Sequence, residues 1–170
     1  DEIRQILTGK FRENLIPIFD GIHATSTVRF IIDSVLLGDS LTPASMAAKS
    51  SEGVIDYVSK SPNTVGFIGV SWIGNHDDTT QMSFLKKVKM ASIESTDKPD
   101  TYILPWQANI YLGRYPMTRE LVYILKERNT GLGQGFANFI SGEKGQLIFK
   151  RAYLWPSQIN FNIRVTKLNE

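Results

Sequence analysis

A chain of 170 residues with 42% hydrophobic and 21% charged side chains has enough apolar material for a buried core, which excludes general disorder. Its net charge of +2, from 19 Lys and Arg against 17 Asp and Glu, lacks the clustered excess of an electrostatic nucleic-acid binder, so no nucleic-acid partner is expected. The absence of cysteine excludes thiol catalysis, disulfides and cysteine zinc sites, and no stretch reaches the roughly 18 apolar residues of a membrane span.

The chain opens on Ile3, Ile6 and Leu7, a helical spacing that should stop near Thr8 and Gly9. With neither an initiator Met nor an apolar signal segment ahead of it, this start reads as that of a processed or truncated chain. Residues 15–19, an apolar run interrupted by Pro17, suggest a buried strand, and residues 20–26 a polar loop. Val28, Ile31, Ile32, Val35 and Leu36 then fall at helical spacing, with Gly38 as the stop. A second helix is expected over 51–60, broken by Ser61, Pro62 and Asn63. Residues 64–72 are β-branched, aromatic and punctuated by glycine, as in a buried strand, and 85–93 alternate partly, as in another. Lys86, Lys87 and Lys89 would be the solvent face of that strand.

Residues 102–117 hold Pro105 and Pro116 among aromatics and should be irregular or extended. Residues 121–125 (Leu121, Val122, Tyr123, Ile124, Leu125) have the composition of a strong strand. Leu132, Phe136, Phe139 and Ile140 mark one face of a helix, interrupted at Ser141, Gly142 and Glu143 and resumed at Gln146. At the end, Ile159, Phe161, Ile163 and Val165 alternate with polar residues, as in a strand buried on one face. Strands and helices alternate through most of the chain. The class is α/β, and the cleanly alternating last strand predicts a mixed sheet flanked by helices.

Thr25, Ser26 and Thr27 open an amphipathic helix just after a strand and a loop. Three hydroxyls, the free amides of the first turn and the helix dipole together suit an oxyanion; helix capping is the plain structural role of the same residues. Asp20, His23 and Ser26 crowd one short loop, unlike a catalytic triad, whose members are oriented separately. His76, Asp77 and Asp78 are metal-ligand types in a row, which an exposed turn explains as well. Residues 131–135 lack the spacing and the Lys of a phosphate-binding loop. Trp72, Trp106 and Trp155 could stack bases or sugars, but with no basic stripe between them they suit core and hinge packing better. No metal cluster and no nucleophile–base pair stands out, so no enzyme, catalytic residue, metal or cofactor is expected.

Five segments in order carry a family resemblance. They are residues 3–10; Thr25, Ser26 and Thr27 at a helix start; 54–69, through Pro62 and Gly66; Tyr115, Pro116, Met117, Thr118 and Arg119; and 136–146, through Ser141, Gly145 and Gln146. The chain resembles the later part of a PstS-like periplasmic phosphate-binding protein of ABC transporters, within the type II solute-binding group. The resemblance implies residues 1–112 as the second lobe of the fold and 113–170 as a return segment toward a first lobe whose first half is absent. It implies inorganic phosphate or a similar oxyanion as ligand, a transporter permease as partner, and a periplasmic or extracytoplasmic protein, lipid-anchored or free. By the same resemblance Thr25, Ser26 and Thr27 would hold the anion without a cofactor.

Two departures stand out. The family often has an Arg shortly before its hydroxyl motif, where this chain reads Asp20, Gly21, Ile22 and His23; Arg29, inside the helix, is the substitute cation. That loss leaves open a sensory or protein-interaction domain that keeps the fold without tight anion binding. The missing lobe, in turn, predicts self-association of the truncated chain through uncovered apolar surface.

Overall fold

A computed structural model describes residues 2–21, 25–75, 77–127 and 130–157, which fall into two compact units divided between Glu120 and Leu121. In the first unit, helix α1 (Glu2–Thr8) ends where expected, with Gly9 in the left-handed region at φ 72°. Strand β1 (Ile16–Asp20) follows, then α2 (Ser26–Phe30), which continues into a π-helical turn (Ile31–Val35). Next come β2 (Met46–Ala48), α3 (Ser51–Lys60), β3 (Thr64–Phe67) and a 3-10 turn (Val70–Trp72). Helix α4 (Thr79–Lys87), strands β4 (Ile93–Glu94) and β5 (Tyr102–Ile103), and α5 (Gln107–Tyr111) complete the named elements of the unit.

The sheet has the order β2-β1-β3 and both pairings are parallel. Covered on both faces, β1 is apolar from Ile16 to Phe19 and ends on Asp20, and its three middle residues are buried. Phe19 stacks on Phe67 at 5.2 Å and joins Leu7, Ile31 and Leu36 in the core under α1 and α2. Alternate residues turn the other way. There a Cβ on Gly66 would stand 2.7 Å from Val54 and 3.1 Å from Val58, so α3 lies closer to the sheet than any side chain at 66 allows.

Pro17 sits in this central strand without loss. The Ile16 amide donates to the Asn63 carbonyl at 2.9 Å, toward β3, so the missing N–H of Pro17 falls on the β2 side. Pairing with β2 begins only at Ile18. No hydrogen bond is forfeited.

Three strand expectations change. Residues 85–93 do not form a strand: α4 covers Leu85, Lys86 and Lys87, because Asp78 accepts from the Thr80 and Gln81 amides at 2.8 and 3.2 Å and starts a helix that buries Phe84. Of that stretch only Ile93 is in a strand, pairing antiparallel with Ile103. The strand over 64–72 stops at Phe67, and the chain turns at Val70–Trp72. Residues 121–125 belong to no ladder among the described residues, and Leu121, Val122 and Ile124 are largely exposed. β-propensity records fit to neighbouring strands, and the segment has none there.

Among the described residues the second unit has two helices, α6 (Leu132–Ser141) and α7 (Glu143–Arg151). Their junction is fixed by Gly145, where a Cβ would strike the Phe139 carbonyl and the Ile140 backbone, and by buried Gln146, whose Nε2 donates to the Ile140 carbonyl at 2.8 Å. Glu127 caps α6 from outside, accepting from the Gly133 and Gln134 amides at 3.0 and 3.1 Å. The expected strand over 159–165 lies outside the described residues. The architecture is α/β, a parallel sheet flanked by helices, with antiparallel pairing among the described residues confined to β4 and β5.

Candidate functional site

In a sheet ordered β2-β1-β3, the chain leaves the carboxyl end of β1 toward β2 and returns across it to β3. Such a reversal opens a crevice at the carboxyl ends of the strands, the usual ligand position in open α/β sheets. Here that end is built by short turns. Gly21, at φ 96°, bends the chain out of β1 while its amide donates to the Ala48 carbonyl at 2.7 Å. Thr25 caps α2, with its Oγ1 accepting from the Val28 amide at 3.4 Å. Ser50 caps α3, accepting from the Gly53 amide at 3.2 Å.

These turns surround an open depression of about 280 Å³ lined by Asp20, Gly21, Thr25, Lys49, Ser50, Ser51 and Trp72. Two helix N-termini border it. The first-turn amides of Ser26 and Thr27 on α2, and of Ser51 and Glu52 on α3, have no helical acceptor, and both helix dipoles favour negative charge there. Lys49 adds an exposed cation with no ion-pair partner among the described residues.

Asp20 opposes this positive potential. Its Oδ2 accepts from the Ser51 hydroxyl at 3.0 Å, whereas its Oδ1 is buried with no hydrogen-bond partner among the described residues. An unmet buried acceptor of this kind costs on the order of 1–3 kcal/mol. The Ser51 contact also commits Asp20 away from any triad with Ser26, and His23 lies outside the described residues.

Of the four residues singled out from sequence, Thr25 lines the depression. Thr27 is partly buried on α2; Ser26 and Arg29 are exposed there, and none of the three is among the lining residues. Lys49, Ser50, Ser51 and Trp72 were not singled out as ligand contacts, although the pair of serines before an apolar helical run is a readable N-terminal signal. Elsewhere, the Asp78 carboxylate is committed to capping α4, and His76 lies outside the described residues. A second depression, lined by Arg4, Gln5, Thr8, Lys10 and Asp39, is crossed by the Arg4–Asp39 ion pair at 2.7 Å. That hydrogen bond and charge hold Asp39 below the usual carboxylate range and tie α1 to the turn after α2.

No curated protein and no solved structure matches the chain. The sequence model of the PBP superfamily domain matches residues 2–144, which takes in the whole sheet, every residue lining the depression and helix α6. A parallel sheet with a polar crevice at its switch point accords with that match, and the chain belongs to the PBP superfamily, whose domains bind solutes.

Proposed function

We propose that this protein binds an oxyanion of the phosphate type as the extracytoplasmic solute-binding component of an ABC uptake system. One observation carries the reading: the N-termini of α2 and α3 and the cation of Lys49 border one depression at the carboxyl ends of β1 and β2. Oriented amides and hydroxyls around a lysine suffice to hold a tetrahedral anion. Asp20 disfavours close approach of a fully ionised anion and favours one that keeps an O–H donor, as monohydrogen phosphate does and sulfate does not. Thr25, Ser26 and Thr27 contribute hydroxyls and amides from α2, with Arg29 the more distant charge on that helix.

In this reading residues 1–112 form the second lobe and 113–170 the return segment, and a transporter permease is the protein partner. None of the helices among the described residues is long and apolar enough to cross a membrane.

Calorimetric titration of the full-length protein with inorganic phosphate tests the site. Replacing Ser26 and Thr27 together with Ala, or Lys49 with Ala, should lower affinity while the protein stays folded. A capping role alone predicts a stability loss of about 0.5–2 kcal/mol and unaltered affinity. Asp20 lends a specific observation to the rival, a sensory or interaction domain without tight anion binding, because it places a carboxylate where an arginine would help the anion. Absence of phosphate binding in the unaltered protein would favour that rival.

A further inference from the structure

The anion-binding reading leaves Trp72 unexplained. Trp72 is 47% exposed, whereas Trp106 and Trp155 are half-buried. Its position is fixed: the Trp72 amide donates to the Gly69 carbonyl at 3.1 Å and the Gly74 amide to the Val70 carbonyl at 2.7 Å, holding the turn that follows β3. The indole thereby forms a wall of the depression opposite in character to Lys49, Ser50 and Ser51. An open aromatic face beside a few polar groups is the make-up of a site for an organic ligand.

A bare tetrahedral ion offers an indole nothing to lie against and occupies only a fraction of about 280 Å³. It also leaves one end of the site without use. The Asp20 carboxylate, which lines the depression, is an acceptor that a hydroxyl carried by the ligand can meet. Anion donors, an acceptor for a hydroxyl and an aromatic wall thus line one depression.

Resting on the anion-binding reading, we propose that the ligand is a phosphomonoester of a hydroxylated ring, a sugar phosphate in chemical class. Its phosphoryl group meets the first-turn amides of α2 and α3 and Lys49, a ring hydroxyl donates to Asp20, and the apolar face of the ring lies on Trp72.

Calorimetry of the full-length protein with glucose 6-phosphate, inorganic phosphate and glucose separates the two layers of the argument. Glucose 6-phosphate should bind at least about tenfold more tightly than inorganic phosphate. Trp72→Ala should erase that advantage and leave inorganic phosphate affinity within about twofold, which also shows that the variant is folded; Trp72→Phe should keep most of the advantage. Should Trp72→Ala abolish binding of every probe, Trp72→Phe decides: the advantage retained supports the proposal, and the advantage lost with phosphate binding intact overturns it. Inorganic phosphate binding as tightly as the ester, with Trp72→Ala without effect, overturns the proposal and leaves the anion reading standing. Failure of both phosphates to bind, or glucose binding as well as its phosphate, overturns the two together.

Discussion

The two units use similar proportions of apolar sequence to different ends. In the first, Ile18, Phe19, Ile31, Leu36 and Val54 are almost wholly buried around β1, and every layer has a partner. In the second, α6 and α7 are as amphipathic as α3, yet their buried residues are only Gly145 and Gln146, while Leu132 is 93% and Phe136 52% exposed. An apolar stripe makes a helix possible but does not itself provide a core. Burial comes from a second surface, and the sheet is that surface only in the first unit.

The largest expected effect breaks the comparison at its strongest point. Ile18→Ala should cost roughly 2–5 kcal/mol in chemical denaturation, since the site is enclosed on both faces of the sheet. Phe139→Ala, at a residue 46% exposed, should cost under about 1 kcal/mol. The face it shares with Phe136 should instead appear in light scattering. The 170-residue chain is expected to self-associate at tens of micromolar, and paired replacement of Phe136 and Phe139 by Ser should reduce it. Equal stability losses at positions 18 and 139 would show that the second unit has a core of its own.

A smaller effect sharpens the account of the first unit. Gly66→Ala has to push α3 off the sheet against buried Val54, and should lose about 1–3 kcal/mol. A neutral result would mean that α3 yields more freely than its contacts indicate.

The smallest effect appears only in alkali. Burial pushes the Tyr115 hydroxyl up to about 12 from its ordinary 10.0. Between those values the unfolded chain releases a proton that the folded chain keeps, so this contribution is complete below pH 10 and declines as pH rises toward 12. Tyr115→Phe should flatten that decline relative to the unaltered protein and change nothing at pH 7. Parallel stability curves above pH 10 would place Tyr115 in a wetter environment.

The same contrast explains what was legible in the sequence. The helix over 51–60, the stop at Gly9 and the break between α6 and α7 were readable because spacing and caps are local signals. Residues 121–125 misled because their composition describes a strand's preferences, not the neighbour that would satisfy them. The stretch 85–93 misled because the Asp78 cap, several positions upstream, starts a helix that takes in residues 85–87, whose own pattern is ambiguous. Thr25 was legible as a helix start from its local setting. Lys49, Ser51 and Trp72 reach the same depression only through the parallel pairing of β1 with β2 and β3, and long-range pairing leaves no mark in any single window of sequence.

That parallel sheet also has a consequence in time. Each of its pairings joins segments separated by a complete helix, so β1 can be satisfied on both sides only after α2, β2, α3 and β3 have all been gathered in. Chain closure of that kind is slow, whereas α6 and α7 meet across the single residue Gly142. The helical pair can therefore be in place while Ile18 and Phe19 still await their neighbours. During that interval the most apolar stretch of the first unit is open to solvent, and Pro17, with no N–H to offer, makes the start of that stretch a poor template for a stray strand.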